Sequence, residues 1–202
     1  QADGIGAQIV EGGDLVFGIT MSGASDEDVT VNWSMTLNGS AEAGDLTSPI
    51  VYSGSVVIPA GSTTGSITIP TFDDSLFEGG AGSFEDLTMT LTSASGADLG
   101  STTSVTGLIE DNEGTPVVNL DQADGIGAQI VEGGDLVFGI TMSGASDEDV
   151  TVNWSMTLNG SAEAGDLTSP IVYSGSVVIP AGSTTGSITI PPFDDSLFEG
   201  GA

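Results

Sequence analysis

The chain repeats itself, and this constrains its fold more than any other feature. Residues 1–81 recur as residues 122–202, a period of 121 residues, and the one difference is Thr71 against Pro192. Solenoid repeats have periods of about 20–50 residues, whereas this period corresponds to one small domain with its own core. We therefore predict two domains in tandem, residues 1–115 and residues 116–202. The first could lack its first strand, and the second stops before its last strands.

The second domain has no counterpart of residues 82–121 in this sequence. Two interpretations stay open. The chain is a window on a longer ordered polymer of the same repeat, which we favour, or strands from a neighbouring chain complete the sandwich, which is a rarer device.

Alternating apolar and polar residues predict strands throughout the repeat. The pattern is clearest at 29–37, where Val, Val, Trp, Met and Leu occupy one face and Thr, Asn, Ser and Thr the other. Turn-forming Gly, Ser, Asn, Asp and Pro separate the strands, and no helical period competes. Predicted strands are 8–11, 15–22, 29–37, 50–58, 65–70, 87–93, 104–110 and 117–120. This number of short strands indicates an all-β, immunoglobulin-like antiparallel sandwich repeated in tandem, with Trp33 and Phe17 in the core.

The charge of the chain has one sign only. Its 202 residues include 29 Asp and Glu but no Lys, Arg or His, so the formal net charge is −29; Cys is also absent. Phosphate neutralisation by a nucleic-acid binder, nucleophile pairs that use His, and the usual zinc ligand sets are thereby excluded. We expect no enzyme activity, no nucleic acid, no direct membrane contact and no small-molecule substrate. The remaining hard oxygen ligands suit calcium.

One segment resembles a known domain family. Residues 54–79 contain a strand, a Pro-Ala-Gly turn, a second strand and then Asp73-Asp74-Ser-Leu-Phe-Glu78-Gly, which resembles the Calx-β signature. Val10-Glu11-Gly12 resembles the early Glu-Gly turn of that family, residues 28–32 its third strand, and residues 109–113 its acidic final strand end. The likeness spans nearly the whole period.

The resemblance implies an immunoglobulin-like fold that binds Ca²⁺ at one end of the sandwich. Carried over by position, the metal ligands implied in the first repeat are Glu11, Asp45, Asp73, Asp74, Glu78, Glu110 and Asp111, and those in the second are Glu132, Asp166, Asp194, Asp195 and Glu199. Where the family often has a further Glu, this chain has Ala81, and Glu85 follows after a glycine-rich stretch.

Repulsion among the acidic residues, considered apart from the family resemblance, indicates the same loops as a site for cations. Two carboxylates about 4 Å apart repel by about 4 kcal/mol at an effective dielectric near 20. Because no cationic side chain exists in this chain, gathering its acidic loops at one pole requires bound cations or raised pKa values.

These observations favour a structural function outside the cell. The leading hypothesis is a calcium-rigidified stalk of a bacterial surface adhesin or matrix fibre, with neighbouring repeats, and other copies in a fibre, as partners. The alternative is a calcium-sensor module that regulates a partner. A carbohydrate-active domain fits poorly, because the adjacent Asp73 and Asp74 do not face each other across a substrate.

Overall fold

The alternating segments form strands, and the fold class is all-β, as predicted. The computed structural model describes residues 5–79, 83–121, 134–159 and 164–194. Within those ranges the only helical segment is a 3-10 turn at Ala164–Asp166, and no helix is long and apolar enough to cross a bilayer. Two compact units are present: unit 1 comprises Gln1–Ser75 and Gly79–Gly114, and unit 2 comprises Leu76–Glu78 and Thr115–Ala202.

Unit 1 consists of two sheets. Its strands are β1 (Ile5–Val10), β2 (Asp14–Thr20), β3 (Val29–Asn38), β4 (Ser53–Ile58), β5 (Thr64–Pro70), β7 (Phe84–Ser95) and β8 (Ser104–Glu110). One sheet has the order β1-β8-β7-β3-β4, and the other is the pair β2-β5. Between β5 and β7 in the sequence lies the two-residue strand β6 (Leu76–Phe77), which belongs to unit 2.

The observed strand bounds depart most from the predicted ones at β1 and β7, which each begin three residues earlier than predicted, and at β4, which begins three residues later. The predicted strand 50–58 begins only at Ser53, because residues 50–52 lie outside the ladder that β4 forms with β3. Among the described strands of unit 1, pairing is antiparallel except at β1, which pairs in parallel with β8, so that Val10 lies opposite Glu110. The chain leaves β1 for β2 in the other sheet, and β1 therefore takes the place beside the last strand of the repeat, running in the same direction.

The core of unit 1 lies between its two sheets. Leu15, Phe17 and Ile19 of β2 pack with Trp33 of β3 and with inward residues of β5, β7 and β8. Phe17 and Trp33 are only 3% and 8% exposed, which confirms their predicted core positions. Burying each such side chain contributes about 1.5–3 kcal/mol relative to leaving it exposed.

A glycine permits the two sheets to approach at one point. A Cβ atom at Gly107 of β8 would lie 2.6 Å from Cζ of Phe17 and 3.1 Å from Leu87, so the aromatic ring of the small sheet occupies the space above this residue. Only glycine leaves room for the ring.

Unit 2 repeats part of this arrangement. Its strands are β6, β9 (Val118–Leu120), β10 (Leu136–Met142), β11 (Ala145–Ser146), β12 (Val150–Ser155), β13 (Ser174–Ile179) and β14 (Thr185–Ile190). They form the sheets β14-β10-β9, β12-β13 and β11-β6. A separate apolar core lies among them, built from Ile140, Met142, Leu167, Ile179, Ile188 and Ile190.

Candidate metal centre

Strand register brings the acidic loops of unit 1 to one end of the sandwich, here called the acidic pole: residues 11–13, 71–75 and 111–114. Val10 pairs with Glu110 at the ends of β1 and β8, and Asp14 pairs with Pro70 where β2 begins and β5 ends. The backbone N–H of Glu11 donates to the Glu110 carbonyl at 3.1 Å. The loops that follow β1, β5 and β8 are therefore neighbours.

Three carboxylates meet at this pole. Glu11, Asp111 and Glu113 each place one carboxylate oxygen within 4.8 Å of the other two. Asp111 is buried, and the other two are half-buried. The backbone N–H of Glu113 donates to Oδ1 of Asp111 at 2.8 Å, so the Asp111 side chain bonds the backbone two residues further along, as in an Asx turn. The sequence predicted Glu11 and Asp111 as ligands, but not Glu113.

Asn112 links this cluster to the loop after β5. Its backbone N–H donates to Oε1 of Glu11 at 3.3 Å, and its side-chain amide donates to Oδ1 of Asp73 at 3.0 Å. Gly12, with φ of +76°, lies against the same aspartate, since an added Cβ would be 2.8 Å from Cβ of Asp73. The exposed Asp73 is thereby held beside the cluster.

The cluster gathers three acidic groups, and the chain has no positively charged side chain to neutralise them. Oε2 of Glu113 is buried without a hydrogen-bond partner in the part of the chain that the structure describes. The neighbouring carboxylates can accept a hydrogen bond from this group only if it carries a proton. Hydrogen bonding to Glu11, followed by burial, hydrogen bonding to Asp111 and repulsion from both, raises the pKa of Glu113 from 4.5 to about 8. The site therefore holds a proton or another positive charge in the folded state.

The donor set fits calcium. A calcium ion binds oxygens at about 2.3–2.6 Å, so two ligand atoms on one ion are separated by at most about 5 Å. The 4.8 Å limit among Glu11, Asp111 and Glu113 satisfies this condition. The buried Glu113 oxygen is the kind of group that a cation would satisfy, and bidentate carboxylates would supply several of the 6–8 oxygens that calcium takes.

A second pair of acids lies deeper in unit 1. Asp45 and Glu85 are 7% and 8% exposed, and each has a carboxylate oxygen within 4.8 Å of the other. Glu85 lies on the same face of β7 as the buried Leu87 and Met89 and therefore points inward. Oδ2 of Asp45 accepts a hydrogen bond from the backbone N–H of Glu42. The predicted ligand set contained Asp45 but omitted Glu85, although its alternation with Leu87 and Met89 would have indicated an inward side chain.

The remaining predicted ligands are placed as follows. Asp74 is half-buried in the loop after β5, Glu110 is half-buried at the end of β8, and Glu78 is half-buried and counted with unit 2. Within the described residues, neither carboxylate group includes Asp73, Asp74 or Glu110.

In unit 2 the counterpart of Asp45 keeps one backbone hydrogen bond but lies at the end of a 3-10 turn and is less buried. The backbone N–H of Phe193 donates to the Asp166 carbonyl at 2.9 Å, as that of Phe72 does to the Asp45 carbonyl at 2.8 Å. Asp166 is half-buried and Asp194 exposed. Glu132, Asp195 and Glu199 lie outside the described residues.

The one sequence difference between the repeats falls at this pole. In unit 1 both the backbone N–H and the hydroxyl of Thr71 donate to the carbonyl of Gly13, at 2.9 and 2.8 Å. Pro192 has neither donor, so the second repeat cannot make this pair of bonds at the corresponding position.

No protein-family model matches the chain, and no curated protein matches it. Among solved structures, the calcium-binding domain CBD12 of CALX1.1 is similar with 18% identity and a TM-score of 0.45, over 90% of this chain and 70% of that chain. CBD12 from CALX1.2 has 15% identity and a TM-score of 0.46, over 95% and 73%. The apo-form Calx CBD1 domain has 21% identity and a TM-score of 0.43, over 52% and 89%. Similarity at this level assigns no ligand to this chain.

Proposed function

We propose that this chain is a calcium-binding structural segment: tandem sandwiches of an extended stalk in a bacterial surface adhesin or extracellular fibre, and not an enzyme. The observation that carries the proposal is the cluster of Glu11, Asp111 and Glu113, with its buried oxygen and its raised pKa at Glu113. In a chain without Lys, Arg or His, only a proton or a bound cation can neutralise this cluster.

Calcium is the cation that fits best. All side-chain ligands available are oxygens, since the chain has no His and no Cys, and this disfavours zinc and copper. Magnesium demands a near-ideal octahedron and retains most of its water, whereas calcium accepts irregular sets of carboxylates and carbonyls. An extracellular location supplies calcium at concentrations that suit weak sites of about 10⁻⁴–10⁻³ M.

The position of Glu113 connects the ion to stiffness. This residue follows β8, in the segment that leaves the first repeat, and the same cluster contains Glu11 at the end of β1. A cation held by both residues fixes the exit segment onto the sandwich, whereas repulsion among the same acids loosens it. Near-identical repeats favour a spacer, because copying a domain adds length and leaves its chemistry unchanged.

Calcium-dependent stability and length test the proposal. Thermal unfolding of the intact chain should shift upward in millimolar CaCl₂ relative to EDTA, with a smaller effect of MgCl₂. Small-angle scattering should show a smaller spread of end-to-end lengths with calcium. Identical melting curves and scattering profiles with calcium and EDTA would refute the function.

The sensor alternative makes a different quantitative prediction. A regulatory module responds at about 10⁻⁷–10⁻⁵ M calcium, whereas a structural module needs only to be saturated at the higher extracellular level. A calcium titration of the melting temperature distinguishes them. A midpoint in the micromolar range, with a change in shape at that midpoint, would favour the sensor.

A further inference from the structure

Two short segments of unit 2, β11 and β6, pair in parallel. Ala145 and Ser146 of β11 lie opposite Leu76 and Phe77 of β6. The hydroxyl of Ser146 and the backbone N–H of Asp147 both donate to the carbonyl of Phe77, each at 3.3 Å. Ser146 is 6% exposed in this arrangement.

The loop that contains Ala145 and Ser146, here called the receiving loop, recurs in the first repeat, where no described strand is paired with it. Ala24 and Ser25 are the counterparts of Ala145 and Ser146 by the 121-residue period. Among the residues that the structure describes, no strand pairs with Ala24 or Ser25. Ala24 is exposed and Ser25 half-buried, whereas their counterparts are half-buried and buried.

The receiving loop has the same conformation in both units. The N–H of Gly61 donates to the Ser25 carbonyl at 2.8 Å, and that of Gly182 donates to the Ser146 carbonyl at 2.7 Å. The hydroxyl of Ser25 accepts from the N–H of Glu27 at 3.1 Å, a bond that recurs between Ser146 and Glu148 at 3.3 Å. The loop in unit 1 therefore already has the shape that holds a strand in unit 2.

Space for an occupant exists beside this loop. A cavity of about 750 Å³ in unit 1 is lined by Ala24, Ser25, Met21, Leu91 and Leu99, among others. Leu99 is 37% exposed, so apolar surface faces the opening. A Leu-Phe pair docked at the edge would have apolar partners.

We propose that the edge at Ala24 and Ser25 is a docking site for the Ser-Leu-Phe-Glu segment of a second copy of this chain. That tetrapeptide occurs at residues 75–78, where its Leu-Phe pair forms β6, and again at residues 196–199. The given sequence thus contains two copies of the tetrapeptide and two copies of the receiving loop, and one of each is paired in unit 2. Pairing of residues 196–199 of one molecule with Ala24 and Ser25 of the next is a head-to-tail contact, which builds a closed ring or an open filament. The inference does not depend on calcium at the acidic pole.

Cysteine cross-linking tests the register directly, because the chain has no cysteine of its own. The double variant Ala24→Cys with Leu197→Cys places thiols at opposed positions of the proposed intermolecular pair. Leu76→Cys with Ala145→Cys is the matched intramolecular control. Ala24→Cys with Gly200→Cys is the off-register control, since three residues displace the thiol by about 10 Å along a strand, beyond disulfide reach. Because a net charge of −29 repels copies, the reaction is run in about 1 M NaCl, where screening acts within about 3 Å.

Under mild oxidation, with and without calcium, we expect the intramolecular control to close as a monomer. The variant with thiols at positions 24 and 197 should form a ladder of disulfide-linked multimers on a non-reducing gel, well above the off-register control. A ladder no stronger than that control, a disulfide that joins positions 24 and 197 within one monomer, or failure of the intramolecular control to close would each overturn the inference. Because calcium is present in one arm only, the result stands apart from the test of the metal site.

Discussion

Replacing Glu113 by Gln should have opposite effects on stability with and without calcium. Glutamine has nearly the same shape, carries no charge and can donate from its amide to the carboxylates of Glu11 and Asp111. Without metal, the substitution removes a carboxyl that must either hold a proton or repel the carboxylates of Glu11 and Asp111. With calcium, it removes a ligand that carries charge.

The magnitude follows from the pKa of Glu113, which is about 8 in the folded state against an ordinary value of 4.5. The folded protein holds this proton more tightly than the unfolded chain, so metal-free stability falls as the pH rises from about 4.5 to about 8. At pH 7 the full effect is about 3 kcal/mol at 1.36 kcal/mol per pKa unit. Solvent screens part of it at a half-buried group, and we expect the Gln variant to be about 1–2 kcal/mol more stable in EDTA. For a domain of about 100 residues this corresponds to roughly 5 °C or more.

In calcium the native chain should be more stable than the Glu113→Gln variant. A ligand at a hundred times its dissociation constant stabilises the folded state by about 2.7 kcal/mol, and the variant should lose most of this gain. Thermal unfolding followed by fluorescence of the buried Trp33 measures unit 1 alone if Trp154→Phe is introduced in both proteins. Glu27→Gln, the same charge change in an exposed turn, is the control and should be neutral in both conditions. Equal responses of the Glu113 and Glu27 variants to calcium and EDTA would refute the reasoning.

Three further substitutions probe the acidic pole and the deeper acid pair. Thr71→Pro removes two donors to the Gly13 carbonyl and should lower the stability of unit 1 by about 1–3 kcal/mol, measured by urea unfolding; no loss would show that these bonds contribute nothing net. Gly12→Ala forces a side chain onto Asp73 at a positive φ, so both the melting temperature and calcium affinity should fall; unchanged affinity by calorimetry would contradict this. Asp45→Ala removes an acceptor that orders its loop, and we expect a loss of about 1 kcal/mol even in EDTA, whereas a loss confined to calcium would assign this residue to the metal alone.

Alternation predicted β2, β3, β5 and β7 because one face of each of these strands is buried. The predicted segment 104–110 coincides with β8, and 29–37 differs from β3 by one residue. Which strands pair with each other was harder to predict from the sequence. The residues of β1 do not indicate that this strand pairs in parallel with β8, the last strand of the repeat. This pairing depends on where the chain crosses between the two sheets.

The candidate site was predicted in part, for a similar reason. Glu11 and Asp111 belong to short motifs at strand ends, so their approach follows from the fold. Glu113 follows a local turn in which its backbone N–H donates to Asp111, and residue types alone do not specify this turn. Glu85 alternates with the apolar residues of β7, and this pattern predicts an inward side chain. The predicted ligand set nevertheless does not include Glu85.

Proton release on calcium binding tests the central claim most directly. At pH 7 a carboxyl with a pKa of about 8 is mostly protonated, so an ion bound at the cluster should displace nearly one proton from Glu113. Titration calorimetry in two buffers of different ionisation enthalpy counts these protons. We predict nearly one proton released per calcium bound in the native chain and a loss of that release in the Glu113→Gln variant. Calcium binding without proton release, or no binding at millimolar calcium, would contradict the account.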